Sequence, residues 1–120
     1  MSKRYLLRWE MDLDPRRRPY PLHRCRLHFY PEGAQAPERS VDVLAYQPDL
    51  LYLRRKRAPE YGEDALLGWA LSEVRRFLLA GKTIVPKFWP LVTDPSPLLP
   101  AEEVRTARER GYWTVELPDR

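Results

Sequence analysis

Alternating apolar and polar positions dominate the N-terminal third of the chain. In KRYLLRWEM, residues 3–11, the apolar side chains Tyr5, Leu7, Trp9 and Met11 fall on one side and Arg4, Arg8 and Glu10 on the other. A period of two is typical of a strand with one buried face. The same period predicts a second strand at about residues 23–30, with Cys25, Leu27 and Phe29 on its buried face, and a third at residues 41–46. Residues 12–21 contain three prolines and are expected to form a loop.

The segment YLRRKRAPEYG, residues 52–62, is ambiguous. As a helix, Asp49 would be the N-cap, Leu50 and Leu53 would share a face, and the cations would lie at the C-terminal end, where the helix dipole favours them. As a strand, residues 50–57 would pair with residues 41–46 through a turn at Gln47 and Pro48. We favour the strand because the preceding residues are typical of a hairpin turn.

A helical period follows from about residue 61 to residue 80. Apolar side chains recur at intervals of three and four: Leu67, Ala70, Leu71, Val74, Phe77 and Leu78. Ser72, Glu73, Arg75 and Arg76 occupy the other side, and Gly81 is the expected C-terminal stop. The pattern therefore predicts an amphipathic helix that covers a sheet.

Prolines dominate the next segment, residues 82–100, so we expect a strap ordered by burial, with at most a short edge strand near residues 83–85. A second, shorter helix is predicted from Pro100, with acidic residues in its first turn and Gly111 at its end. Residues 112–117 alternate again and predict a final strand. The order predicts an α+β fold in a single domain, residues 1–120: an antiparallel sheet of three to five strands, covered on one face by the long helix.

The composition indicates a habitat, and the charge is distributed unevenly along the chain. The chain has no Asn, 13 Pro and 17 Arg against 4 Lys, which favours a heat-adapted source, although a GC-rich genome would also raise Arg. Residues 1–57 carry 13 Lys and Arg against 7 acids, and residues 58–120 carry 8 against 10. No apolar run is long enough to span a membrane, and Arg8 interrupts any signal-peptide pattern, so a cytoplasmic protein is expected. The charge asymmetry indicates a partner that presents an acidic surface.

Catalytic and metal-binding patterns are weak. His23, Cys25 and His28 are the densest potential ligands, but on a strand they point to two faces, so we expect no metal site and a buried Cys25. The sequence has no glycine-rich phosphate loop and no nucleophile elbow. We therefore expect a protein that is not an enzyme and needs no cofactor, while an enzyme with a site scattered along the chain stays an alternative.

Arginine is concentrated on the polar side of the first strands. Like charges opposed on a sheet destabilise it, so their accumulation suggests a bound polyanion. The predicted binding residues are Arg16, Arg17, Arg18, Arg24, Arg26, Arg54, Arg55, Lys56, Arg57 and Trp89. Tyr30, Tyr46 and Tyr52 could add stacking partners. The competing interpretation is a solvated face on which interleaved acids such as Glu10 pair with the arginines.

The resulting hypothesis is a small, non-catalytic regulatory protein that acts on nucleic acid or on a nucleic-acid-handling machine, for example RNA polymerase. Its Arg-rich surface would contact phosphate or carboxylate groups, and Trp89 would be a hydrophobic anchor. The alternative is a protein-interaction or inhibitor module that uses the Pro-rich and aromatic strap.

Overall fold

The computed structural model describes residues 2–14, 21–79, 87–88 and 98–118. Four antiparallel strands form the sheet: β1 (Ser2–Asp14), β2 (Leu22–Pro31), β3 (Arg39–Tyr46) and, at one edge, β5 (Trp113–Pro118). The two-residue β4 (Lys87–Phe88) runs parallel to β3, so the strand order is β4-β3-β2-β1-β5. The predicted α+β fold is confirmed.

Helices follow the β3 strand. α1 (Gln47–Tyr52) continues into a π-helical turn (Leu53–Arg57), and a 3-10 helix (Pro59–Asp64) leads into α2 (Ala65–Leu79). α3 (Ala101–Arg110) precedes β5 and ends at Gly111, as the sequence predicts. None of the helices in the described ranges is long and apolar enough to cross a membrane.

The core lies between one face of the sheet and the helices. The inward positions predicted for β1 and β2, Leu7, Cys25, Leu27 and Phe29, are fully buried. They belong to one apolar cluster with side chains from α1, α2 and α3. β1 extends past this cluster, since Met11 remains 47% exposed although it shares the inward phase of Leu7. Within the described residues, the helices therefore cover one face of the sheet, and they cover it less completely toward the far end of β1.

The opposite face of the sheet, called the outer face below, carries the residues out of phase with the core. Its members are Arg4, Leu6, Arg8, Glu10 and Asp12 of β1, Arg24, Arg26, His28 and Tyr30 of β2, Asp42 and Leu44 of β3, and Thr114 and Glu116 of β5. α3 does not cover this face. Its buried Val104 and Ala107 belong to the core cluster, and Glu103 accepts a hydrogen bond from Trp113 Nε1 at 2.9 Å. The helices therefore all pack on the inner side of the sheet.

The strand favoured for residues 50–57 is wrong. Pro48 and Asp49 lie in the first turn of α1, and Leu50 and Leu53 are buried together in the core cluster. A strand here would have had to pair with β3, whose free edge is instead used by β4. Burial of two leucines spaced by three residues therefore decided the conformation that local turn signals left open.

The long helix differs from its prediction in two ways. Gly62 has φ 54° and ψ −123°, which breaks the helix, so the α-helical hydrogen bonding begins at Ala65 and not near residue 61. Ser72 and Glu73, assigned to the polar side, are 3% and 1% exposed. The predicted stop at Gly81 and the side chains of Phe77 and Leu78 lie outside the described residues.

Buried polar groups of α2 have specific partners. Ser72 Oγ donates to the Gly68 carbonyl at 2.6 Å and accepts from the Leu99 backbone N–H at 2.9 Å. The Tyr61 hydroxyl donates to the Leu99 carbonyl, and Arg76 Nη2 lies 2.6 Å from the Glu73 carboxylate. These bonds hold residue 99, the 3-10 helix and α2 together on the inner side of the sheet.

Most of the predicted strap, residues 82–100, lies outside the described residues, including the edge strand expected at residues 83–85 and the aromatic anchor Trp89. The described part contains β4 at Lys87–Phe88, two residues beyond that expected strand, and residues 98–100, of which Leu99 is buried. The strap hypothesis therefore stays a prediction.

We predict that Gly68→Ala destabilises the protein although alanine favours helices. A Cβ at residue 68 would lie 2.4 Å from the Tyr61 ring, which is itself buried and hydrogen-bonded. Overpacking of about 1–3 kcal/mol outweighs the gain of about 1 kcal/mol in helix propensity, so urea denaturation should show a net loss. In a Tyr61→Ala background the same substitution should cost less, and an equal cost in both backgrounds would contradict the steric explanation.

Candidate nucleic-acid interface

Ion pairs on the outer face follow the strand register. Arg26 lies directly opposite Asp42 on β3, and its Nε and Nη2 donate to the two carboxylate oxygens at 2.8 and 3.2 Å. Arg24 lies opposite Asp12 on β1, with 3.0 Å between Nη2 and Oδ2. Arg4 lies opposite Glu116 on β5 at 3.2 Å. Each of these arginines therefore has its carboxylate on the neighbouring strand.

Four arginines and four carboxylates share the outer face. The repulsion between like charges that the sequence predicts on this face is therefore largely absent. Glu10, Asp12, Asp42 and Glu116 neutralise most of the accumulated positive charge, so no bound polyanion is needed to offset it. Arg26 is the most firmly paired, because the hydrogen bond that it donates to Asp42 raises the pKa of Arg26 and the Asp42 side chain is only 8% exposed. Of the predicted binding residues, Arg24 and Arg26 are thus engaged in cross-strand pairs.

Arg8 is the exception on this face. Its direct neighbour across β2 is His28 and not an acid, and the described residues offer it no carboxylate partner. The Arg8 side chain is exposed, and its guanidinium carbon lies 5.7 Å from the centre of the Tyr30 ring. A guanidinium over a tyrosine face is a favourable cation–π arrangement that leaves most of its N–H donors available.

Arg8 and Tyr30 line an open cleft of about 610 Å³ at one end of the outer face. Its floor is the N-terminal half of β1, with Arg4, Leu6 and Arg8, and one side is formed by Tyr112 and Thr114 around the start of β5. The turn at residues 31–35 forms the opposite side. The cleft therefore combines two guanidinium groups of β1 with two phenol rings on either side of it, Tyr30 on β2 and Tyr112 just before β5.

The turn beside the cleft is held by its backbone. Ala34 N–H donates to the Pro31 carbonyl at 2.9 Å, and Glu32 N–H donates to the Arg4 carbonyl at 3.2 Å. Gly33 has φ 81°, a left-handed conformation that side chains rarely adopt. Tyr5 also donates to Glu38 at 2.5 Å, which lowers the pKa of that carboxyl and ties the following residues to β1. These hydrogen bonds therefore fix the conformation of the cleft wall.

The basic run 54–57 lies in the helical layer. It forms the π-helical turn after α1, and the buried Leu53 and Ala58 on either side anchor it in the core. Arg55 and Lys56 are exposed, and Arg54 and Arg57 are partly buried. Among the described residues, Arg54, Arg55 and Lys56 have no carboxylate within ion-pair distance, whereas Arg57 has an interaction partner.

The predicted basic residues do not form one continuous set on the sheet. Arg24 and Arg26 lie on the outer face, and the run 54–57 belongs to the helical layer on the inner side. Arg16, Arg17, Arg18 and Trp89 lie outside the described residues. Two basic features remain in the described part of the chain: the cleft around Arg8 and the run 54–57.

Arg8 and Arg4 were assigned to the polar face by the sequence but not to the binding site. The signal that distinguishes Arg8 from Arg24 and Arg26 is its cross-strand neighbour, which depends on register. Tyr112 also needed the tertiary structure, because β5 is separated from β1 by about a hundred residues and still lies next to it.

Cys25 and the two histidines occupy the positions that the alternation predicts. Cys25 is buried, and burial raises the pKa of its thiol to about 12, so the nucleophilic thiolate is disfavoured. His23 contacts Gln47, and His28 contacts Ser40 at 2.6 Å. Within the described ranges, no three His, Cys, Asp or Glu side chains are grouped so that they could hold a metal ion.

The fold and the cleft define a small α+β protein with one solvent-facing sheet surface. No protein-family model matches the chain, and comparisons with curated proteins and with solved structures find no match.

Asp42→Asn should lower the free energy of unfolding by about 1–3 kcal/mol, because the substitution removes the charge from a buried, doubly hydrogen-bonded partner of Arg26. Asp12→Asn is the matched control, since the Asp12 side chain is 58% exposed and its pair with Arg24 should contribute less than about 1 kcal/mol. Urea denaturation measures both. Equal losses would contradict the assignment of Arg26 to a structural pair.

Thiol labelling should report the burial of Cys25. With its pKa raised to about 12, native protein at mildly alkaline pH should react with iodoacetamide only through unfolding. The labelling rate should rise with urea in parallel with the fraction unfolded. Rapid labelling of native protein would contradict a buried, protonated thiol.

Proposed function

We propose that the protein is a non-catalytic binding protein that acts on nucleic acid or on a nucleic-acid-handling machine such as RNA polymerase. It would bind through cationic side chains held on ordered backbone. The binding residues in the helical layer would be Arg54, Arg55, Lys56 and Arg57. Arg24 and Arg26 would then contribute mainly to the pairing of the strands, through their ion pairs with Asp12 and Asp42.

The observation that supports the proposal is a set of three consecutive cations in the helical layer, Arg54, Arg55 and Lys56. Arg54, Arg55 and Lys56 follow one another on a helical turn, and the described residues place no carboxylate against them. Three cations that repel one another and lack acids are stabilised by an external anion, such as phosphate or a partner's carboxylates.

The anchoring of the run also supports binding. Leu50 and Leu53 precede it in the core cluster, and Ala58 follows it, fully buried. Cations on an anchored turn lose less conformational freedom on contact than cations on a free tail. The buried, protonated Cys25 supplies no nucleophile, which favours binding over covalent catalysis at that residue.

We predict that the protein binds random-sequence DNA or RNA with an affinity that falls steeply as salt rises. Fluorescence anisotropy at several salt concentrations gives the slope of log K against log salt, about −0.7 to −0.9 for each phosphate contacted. The triple variant Arg54→Ser, Arg55→Ser, Lys56→Ser should bind more weakly, with a slope smaller by about two units.

A triple variant of exposed arginines on α2 and α3, Arg75→Ser, Arg105→Ser, Arg110→Ser, removes the same charge from other elements and is the matched control. It should reduce binding less than the variant of the basic run. Equal effects would indicate a response to net charge alone and would contradict a binding role for residues 54–56.

Affinity capture from a lysate, with and without nuclease, tests the choice between direct and indirect action. Loss of captured proteins after nuclease treatment would favour direct contact with nucleic acid. A nucleic-acid-handling protein that is retained after nuclease, and lost with the basic-run variant, would favour contact with the machine. If the wild-type protein captures neither nucleic acid nor a nucleic-acid-handling protein, with or without nuclease, the proposal is contradicted.

A further inference from the structure

We propose that the cleft between the turn at residues 31–35 and the start of β5 binds one nucleotide unit of a single-stranded nucleic acid. This inference rests on the proposed function, because it names the form of nucleic acid and a second contact surface. Arg8, with Arg4 beside it, contacts the phosphate, and the rings of Tyr30 and Tyr112 contact the base.

The cation that makes the cleft suitable for phosphate is Arg8. Its cross-strand neighbour is His28, and the described residues give it no carboxylate, so its donors are free to form charge-assisted hydrogen bonds. Arg4 is paired with Glu116, but both side chains are more than half exposed, at 56% and 59%. An exposed pair of this kind is weak and can exchange a carboxylate for a phosphate.

The aromatic side chains supply the second half of the recognition. Tyr30 on β2 and Tyr112 before β5 are partly buried and line the cleft from different strands. Rings held by a sheet lose little freedom when a base stacks on them, and stacking accepts any base. Because the Arg8 guanidinium already lies 5.7 Å from the Tyr30 ring, a base on that ring and its phosphate on Arg8 would be adjacent.

The size and shape of the cleft favour a single strand over a duplex. Its volume of about 610 Å³ falls in the range of sites that hold a small organic group, and it is bounded on two sides by the turn and by β5. A duplex keeps its bases stacked on one another and presents only their edges and the backbone. A single strand can place an unstacked base between the walls.

The carboxylates elsewhere on the outer face determine where a single-stranded nucleic acid would contact the sheet. Glu10, Asp12 and Asp42 lie along β1 and β3 beyond Arg8 and would repel phosphates. The cationic and aromatic groups are concentrated at the Arg4 to Arg8 end of β1, where two acids also lie: Glu32 lines the cleft, and Glu116 pairs with Arg4. The contact is therefore local, with one or two phosphates and one base.

Anisotropy with short oligothymidylate and oligouridylate strands, and with a duplex of matched length, tests the cleft. Arg8→Ser and Tyr30→Leu should each weaken single-strand binding about 5- to 20-fold and leave duplex binding within about 2-fold. Tyr30→Phe keeps the ring and should bind nearly as the wild-type protein does. Tyr112→Leu changes the other wall of the cleft and tests stacking independently if Tyr30→Leu lowers the stability of the protein.

Matched controls lie on the helical layer. Arg75→Ser and Arg105→Ser each remove the same charge from the exposed sides of α2 and α3. Both should leave single-strand binding within about 2-fold of the wild-type value. Thermal melts of every variant separate lost binding from lost folding.

Each outcome decides between the two proposals. Wild-type binding that only the Arg54, Arg55, Lys56 variant weakens would overturn the cleft and leave the proposed function standing. Equal loss of single-strand and duplex binding in Arg8→Ser would also overturn it. No binding of any strand by the wild-type protein overturns the cleft as a nucleic-acid site, and the lysate capture then decides the proposed function. Binding of an acidic peptide, but not of oligonucleotides, that Arg8→Ser abolishes would assign the cleft to a protein partner and overturn the inference.

Discussion

The pairing of β1 with β2 and β5 is the constraint on which the rest of the structure depends. The same register that places Leu7 opposite Phe29 in the core places Asp12 opposite Arg24 and Arg4 opposite Glu116 on the outer face. A slip of one residue would expose the core set and separate every one of these ion pairs. The outer face is therefore stabilised by opposite charges paired across strands, and among the described residues Arg8 has no acidic partner because its neighbour on β2 is His28.

The helical layer depends on a second set of buried contacts. Tyr61, Ser72 and residue 99 form linked hydrogen bonds, and Gly68 lets the Tyr61 ring approach α2 closely. Because α1, α2 and α3 all pack on the inner side of the sheet, the outer face remains in contact with solvent along β1 and β5. Two basic features result, one on each layer, and each would contact an anion separately.

Prediction from the sequence succeeded where a single period determines the element. The strands around Leu7, Leu27 and Trp113 and the helix ending at Gly111 follow from alternation, capping and glycine placement. It failed for residues 50–57, where local turn signals favoured a strand and the burial of Leu50 and Leu53 selected a helix. The sequence pattern also assigned Ser72 and Glu73 to the solvent side, because periodicity carries no information about the tertiary contacts that bury a second face of a helix.

For the candidate site, the sequence alone determined that arginine and tyrosine would occur on the polar side of β1 and β2, since alternation assigns each residue to a face. It also determined the unbroken basic run 54–57 and the burial of Cys25. Only the tertiary structure decided which arginines are neutralised, because an ion pair depends on the residue opposite and not on the residue next in the chain. The cleft arose in the same way: Tyr112 and Thr114 join Arg8 and Tyr30 through the pairing of β5 with β1, a contact between the two ends of the chain that no local pattern encodes.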